Sequence, residues 1–435
     1  MPGIFGFYSF GEGRSNWRAA RFVYYGLSAL QGRGQESVAV GTYNAENKGL
    51  EVLKKRGFVE EIAPELETHV KGHIGIGQVS PIQEDSLVRV RRPTRLLLAG
   101  DGIPRLAESK VAAFRILAKM LSEAVEKTGD PLKATVDLLS KAGGGYSFIA
   151  LTEQEEMICG RDRMGVKPLE VGSVGFDLGI VASETAALDV NGASHSGSIN
   201  PGEVVVFDPL RITRRALNRA GRAHCAFEYV YLARPDSYVN GVAVQGVRER
   251  IGEALAQESP AEADTTIGVP ETALPIAMAF SNSTRIPVKL GFMRTGRSVR
   301  SAIRPSQLER LMGVQLKLNP IESSVEGRSV VLIDDSVVRG NTLKNTVLAL
   351  KRKGATGVHV RVGSPPIVSH CPYGVEIPPR DELIGRALSN REIAEIVGAD
   401  SFAYLSVDGL VRATGLARGE LCLGCFTGNY PEEIA

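Results

Sequence analysis

Val330-Val-Leu-Ile-Asp-Asp-Ser-Val-Val-Arg-Gly-Asn-Thr342 constrains the fold more than any other stretch of the chain. Val330 to Ile333 form an unbroken apolar run, the pattern of a parallel strand buried on both faces. Two carboxylates, Asp334 and Asp335, follow at its carboxyl end, and then a loop of hydroxyls and glycine, Ser336 to Thr342. A helical pattern from Leu343 to Lys353 comes next, so the segment predicts one βα unit of an open α/β sheet. In such a sheet ligands bind beyond the carboxyl ends of the strands. The loop can offer N–H groups, hydroxyls and a helix N-terminus to a phosphate. The adjacent carboxylates can hold a ribose diol or Mg²⁺. An ordinary βα turn with two solvated aspartates is the plainer reading, and a lone Asp-Asp would not displace it.

The full pattern resembles the PRPP-binding signature of type I phosphoribosyltransferases. Further segments resemble the glutamine phosphoribosylpyrophosphate amidotransferase family in particular. They are Cys225-Ala-Phe-Glu-Tyr-Val-Tyr-Leu-Ala-Arg-Pro-Asp-Ser237, Gly268-Val-Pro-Glu-Thr272, Gln315-Leu-Lys-Leu-Asn-Pro320 and Gly363-Ser-Pro-Pro366. By that resemblance Asp334 and Asp335 hold the ribose hydroxyls and Mg²⁺, while Ser336, Arg339, Gly340, Asn341 and Thr342 cradle the 5-phosphate of PRPP. Ser301 then lies near the metal and Arg300 near the pyrophosphate. Transfer from PRPP passes through oxocarbenium character as pyrophosphate leaves, so catalysis is mainly positioning and charge stabilisation.

The lid of the family is altered here. Arg294, Arg297, Arg300 and Arg304 would share one face of a helix, but only Arg300 clearly matches the family's loop. Arg294 stands for a lysine and Ala302 for a phenylalanine, while Gln307, Leu308 and Arg310 continue the pattern. A pyrophosphate lid, a polyanion-binding face and a merely solvated basic loop remain open.

The 435 residues suffice for two sizeable domains. A net charge of +2 argues against a generally polybasic nucleic-acid binder. No apolar run approaches membrane-spanning length and no signal pattern opens the chain, so a cytoplasmic location without membrane partners is expected. Five cysteines in so long a chain are no disulfide framework. Cys422-Leu-Gly-Cys425 alone could be a redox pair, half a zinc site or two buried small residues. Cys159 reads as a buried strand residue. Several members of the resembled family carry a structural [4Fe–4S] cluster, and Cys225, Cys371, Cys422 and Cys425 stand at its four ligand positions. Four thiolates also suit zinc. The implied role is to staple the C-terminal tail to the domain entrance.

Residues 1–218 resemble the glutaminase domain of the same family. The matching segments are Gly3-Ile-Phe-Gly6, Leu30-Gln-Gly-Arg-Gly-Gln-Glu-Ser37, Gly75-Ile-Gly77, Gly160-Arg-Asp-Arg-Met-Gly-Val-Lys-Pro-Leu169 and Ala182-Ser-Glu-Thr185. The implied fold class is an α+β N-terminal-nucleophile hydrolase sandwich (αββα). An α/β type I phosphoribosyltransferase domain with a parallel sheet, residues 222–435, follows it. The sandwich's chemistry needs a leading cysteine, and Pro2 stands there. Gln78-Val-Ser-Pro81 replaces the family's carboxylate-gripping His-x-Arg-Tyr, and Gly100-Asp-Gly-Ile103 replaces its His-Asn-Gly-Asn oxyanion donors. The secondary amine of Pro2 could act as a base once Met1 is removed, but the sequence offers it no matching pocket.

These readings imply an amidophosphoribosyltransferase homologue of purine biosynthesis that binds Mg·PRPP and uses ammonia rather than glutamine. The alternative is a non-catalytic PRPP-binding regulator paired with an intact amidotransferase. The resemblance also implies a homo-oligomer.

Overall fold

The structure, a computed structural model, describes residues 1–11, 14, 16–83, 87–217, 221–294 and 318–431. Two antiparallel sheets build the first half of the chain. One runs in the order Ser194–Ser198, Glu170–Val174, Leu178–Ala182, Gly3–Ser9, Ile74–Ser80, Ser37–Asn44, Gly49–Arg56. The other runs Ile212–Ala216, Glu203–Phe207, Met157–Arg161, Gly144–Thr152, Leu96–Pro104, Val88–Val90.

Alternation along single strands explains the layers, because successive side chains leave a strand on opposite faces. Phe5 and Phe7 join the core beneath helix Ala19–Ala29. Ile4 and Tyr8, between them in sequence, join the core shared by the two sheets. In the second sheet Leu97 and Ala99 face that same shared core, whereas Leu96 and Leu98 pack under helices Lys110–Thr128 and Pro131–Lys141. Helix, sheet, sheet, helix is therefore the layer order, as the resemblance implied. Gly26 lets the first helix approach closely, since a Cβ there would sit 2.3 Å from the Phe5 ring. Ser109 and Asp130 cap the two outer helices, each accepting a backbone N–H, and Gly129 separates them in the left-handed region. Cys159 is fully buried in strand Met157–Arg161, as expected.

The second half holds a four-stranded parallel sheet, ordered Thr265–Gly268, Ser329–Asp334, Gly357–Val362, Ser401–Tyr404. The strand expected from the apolar run is its second member, paired on both sides. Val331 and Ile333 face helices Val244–Glu258 and Leu274–Thr284, while Val330 and Leu332 face Asn341–Arg352 and Asn390–Val397. All four are fully buried. Helices on both faces leave no polar side to this strand, which is why its sequence does not alternate. The following helix begins at Asn341, two residues before the apolar periodicity does, because Gly340 turns the chain at φ 76° immediately ahead of it. Among the described residues no helix is long and apolar enough to cross a membrane.

Candidate functional site

Asp334 ends the strand half-buried, and Asp335 lies deeper, 5% exposed. Adjacent residues of an extended chain point opposite ways, so the two carboxylates meet different partners. Asp335 accepts the Ser336 hydroxyl at 2.7 Å on Oδ1 and the Thr272 hydroxyl on Oδ2. Asp334 Oδ1 accepts the backbone N–H of Asp335 at 2.9 Å. Burial pushes both carboxyls up. At Asp334 the neighbouring Asp335 adds to the rise, while at Asp335 the two hydroxyls and the field of Arg248 oppose it. Both carboxyls therefore hold a proton more readily than free ones.

Thr272 reaches Asp335 from the turn after the neighbouring strand Thr265–Gly268. Arg248, fully buried in helix Val244–Glu258, donates to the carbonyls of Tyr229 and Ala233 at 3.1 and 2.7 Å. Its third nitrogen, Nη1, has no hydrogen-bond partner. The Gly268–Thr272 motif by itself gives Thr272 no role, and nothing in the sequence marks Arg248. A buried arginine in an amphipathic helix carries no local signal of the carboxylate above it.

The loop behind the carboxylates is closed by packing. Val337 is buried, and the Val338 carbonyl accepts Ile384 N–H at 3.0 Å. A Cβ on Gly340 would come within 2.9 Å of Ile384 Cδ1. Asn341 and Thr342 form the first turn of the helix, so the expected helix N-terminus is present beside Asp334. Arg339, expected to cradle a phosphate, pairs with Glu382 at the surface. Arg294 pairs with Glu271 at 3.2 Å, both exposed. Arg297, Arg300, Ser301, Ala302, Arg304, Gln307, Leu308 and Arg310 lie outside the described residues.

Asp101, one of the residues that depart from the resembled glutaminase pattern, belongs to a buried charge cluster. Gln78 Oε1 accepts Gly100 N–H at 3.0 Å, tying the two substituted strands together. Asp101 is fully buried and neither of its oxygens has a hydrogen-bond partner. Its nearest cation is Arg33, with Nη1 at 3.6 Å from Oδ2. Arg33 also pairs with Glu184, and its Nη2 donates to Glu228 at 2.6 Å. Burial opposes the charge of Arg33, but Glu228, Glu184 and Asp101 outweigh it and hold the guanidinium protonated. Burial pushes the Glu228 carboxyl up. Pro2 is buried, and the Met1 thioether accepts a hydrogen bond from Lys167 Nζ at 3.1 Å. Among the described residues at this position no thiol or hydroxyl stands as a nucleophile where Pro2 is.

The cysteines converge, although their sequence separations are large. His224–Cys225 and Leu421–Cys422 pair as a short parallel ladder, with Cys225 opposite Cys422. Val368 N–H and Ser369 N–H donate to the Cys425 carbonyl at 2.8 and 3.2 Å, which brings up the segment bearing Cys371. One cavity is lined by Cys225, Cys371, Cys422 and Cys425 together with Lys167 and Tyr430. Burial raises the thiols of Cys225 and Cys425 and pushes Cys422 up to about 12. Among the described residues no three His, Cys, Asp or Glu side chains are gathered closely enough to hold a metal ion. The four thiols share one cavity without the close grouping that a single metal ion needs, and the Asp334–Asp335 pair is likewise no such group. The tail-to-entrance connection expected of the cysteines is present in the backbone ladder itself.

Comparison with known proteins agrees with this layout. The phosphoribosyl transferase domain family matches residues 240–364. Amidophosphoribosyltransferase of Methanocaldococcus jannaschii is 35% identical, covering 100% of this chain and 98% of that protein. The Methanothermobacter thermautotrophicus protein of the same name is 37% identical over 99% of this chain and 94% of its own length. The chain belongs to the amidophosphoribosyltransferase family. A solved member, the Bacillus subtilis glutamine PRPP amidotransferase complexed with ADP and GMP, superposes with a TM-score of 0.87 at 34% identity. It covers 100% of this chain and 98% of the solved one. Another, described as the allosteric regulatory enzyme of purine biosynthesis, gives a TM-score of 0.88 over 100% and 97%. The amidophosphoribosyltransferase architecture therefore extends over both halves, including the half whose site residues differ from the resembled pattern.

Proposed function

We propose that this member of the family binds Mg·PRPP at Asp334–Thr342 and forms 5-phosphoribosylamine with ammonia, its glutaminase half being inactive. The division is a glutaminase-like domain over residues 1–218 and a transferase domain over 222–435, in a cytoplasmic homo-oligomer. The observation that carries this reading is the contrast between two sites on one chain. At one, carboxylates, hydroxyls and a helix N-terminus meet at a strand's carboxyl end. At the other, Asp101, Glu184 and Glu228 are locked onto Arg33 where a glutamine and its oxyanion would need donors.

The residues fit the implied groups by their chemistry. Asp334 keeps Oδ2 free of the hydrogen bonds that engage both oxygens of Asp335, so it would be the principal carboxylate for Mg²⁺ or the ribose hydroxyls. Asp335 would orient the loop through Ser336 and Thr272. The loop Ser336–Thr342 would hold the 5-phosphate by N–H groups and the helix N-terminus. Bound Mg²⁺ would neutralise charge on the departing pyrophosphate. Cys225, Cys371, Cys422 and Cys425 would hold a [4Fe–4S] cluster of structural character, since four thiols around one buried cavity suit that donor set.

Pyrophosphate release tests the reading with ammonium or glutamine as nitrogen source. Ammonium should support turnover and glutamine should not, and Asp334→Asn should abolish it. Glutamine-driven release would refute the inactive glutaminase. A second reading, a PRPP-binding regulator without chemistry, is favoured by Arg339, which is engaged with Glu382 rather than with the loop. PRPP binding with no release under saturating ammonium would select it.

A further inference from the structure

Lys167 is a buried cation held by the fields of its surroundings rather than by a direct ion pair. Its side chain is fully buried, and its Nζ donates to the Met1 thioether, a weak acceptor for a group with three donors. Of the groups whose fields hold its charge against burial, Asp101 and Glu228 are engaged by Arg33, and the others are the thiols of Cys225 and Cys371. Among the described residues no ion pair involves Lys167. A buried ammonium of this kind is strongly unfavourable unless an anion is close.

The same side chain lines the cavity of Cys225, Cys371, Cys422 and Cys425, and it is the one charged residue among the described residues that do so. The rest of that wall is apolar or aromatic, including Tyr373 and Tyr430. Four thiolates around a core of charge 2+ keep a net charge of about −2, whether the core is an iron–sulfur cube or zinc. In an apolar pocket that excess needs a fixed cation, and the field of a nearby charge acts strongly at low dielectric.

We propose that Lys167 is the counter-charge of the four-thiolate centre, a positioning residue that retains the metal group by answering its negative charge. The unpaired ammonium and the four-cysteine pocket are two halves of one arrangement. Lys167 comes from the Gly160–Leu169 segment of the first half, whereas all four cysteines come from the second. Loading the centre therefore clamps the two halves together electrostatically. The inference rests on the four-thiolate cluster reading above.

The full chain, reconstituted anaerobically with iron and sulfide and separately with zinc, is compared with K167M, K167Q and K167R. The rate of metal release to an excess chelator is measured. Circular dichroism of each metal-free form reports the fold. K167M and K167Q should release metal at least about tenfold faster, the usual scale for groups that support a metal site, and K167R should retain it. Removing a buried, unpaired charge should leave the metal-free fold intact. If K167M does not fold, K167Q decides the same question. Release from folded neutral variants at the rate of the unsubstituted chain would overturn the inference alone, as would K167R losing metal as fast as K167M. An unsubstituted chain that loads neither iron nor zinc would overturn the four-thiolate reading, and this inference with it.

Discussion

Asp334 and Asp335 are chemically identical neighbours with different partners, and the difference comes from which side of the strand end each leaves. One is saturated by hydroxyls and the other keeps an oxygen free. His195 shows the same dependence on partners far along the chain. Its Nε2 lies 2.9 Å from Glu170 Oε2, and that hydrogen bond is the largest influence holding the imidazole above its ordinary value. Glu170 is fully buried and also accepts Ser198 Oγ and Asn240 N–H, so it joins strands of the first half to the entrance of the second. A histidine that holds its proton more tightly when folded adds stability below an unfolded pKa of about 6.5. That contribution disappears as pH rises through the folded value. Thermal melts taken across this range should therefore show the melting temperature falling as pH rises past neutrality, with His195→Gln flattening the dependence. An unchanged slope in the variant would assign the effect elsewhere.

At the scale of elements, the strand–loop–helix unit Ser329–Arg352 works because each part constrains the next. The strand is fixed by burial on both faces, and the helix by an amphipathic face of Leu343, Val347 and Leu350. Gly340 links them in the left-handed region at φ 76° with Ile384 packed beside its α-carbon. Both features exclude a side chain. Gly340→Ala should cost roughly 1–2 kcal/mol in backbone conformation, before the displacement of Ile384 is added. Because the strain falls on the turn proposed to hold the 5-phosphate, PRPP affinity measured by calorimetry should weaken in the same variant. A variant as stable as the native chain with undiminished affinity would show that the turn tolerates a Cβ.

Across the whole molecule, the two halves are joined through their interiors. Arg33 of the first half reaches Glu228 of the second, and Glu184 accepts both Arg234 N–H and Ser237 Oγ from beyond the junction. His224 and Arg161 meet across the same boundary, at 3.3 Å. Replacing Arg33 with Met would leave Glu184, Glu228 and Asp101 buried without their cation. Breaking a buried pair in this way typically costs about 3–5 kcal/mol. Denaturant unfolding of Arg33→Met should show a loss of that size, with the halves unfolding in separable transitions. A single transition at the original midpoint would mean the cluster contributes little to the joint.

Much of this was legible in the sequence because it is local. An apolar run ending in Asp-Asp and a glycine-bearing loop determined the strand, the turn and the ligand end of the sheet, since burial periodicity and turn chemistry act over a few residues. Motif order likewise determined the two-part architecture, and the substitutions at Pro2, Ser80 and Asp101 were readable one by one. Only the tertiary structure decided who faces whom. It set Thr272 and Arg248 around Asp335, turned Arg339 to Glu382, and closed Arg33 upon three carboxylates from separate strands and segments. It also gathered four distant cysteines about one buried lysine. Such pairings depend on how layers stack and on which charges burial forces together, and neither is written in the neighbourhood of any one residue.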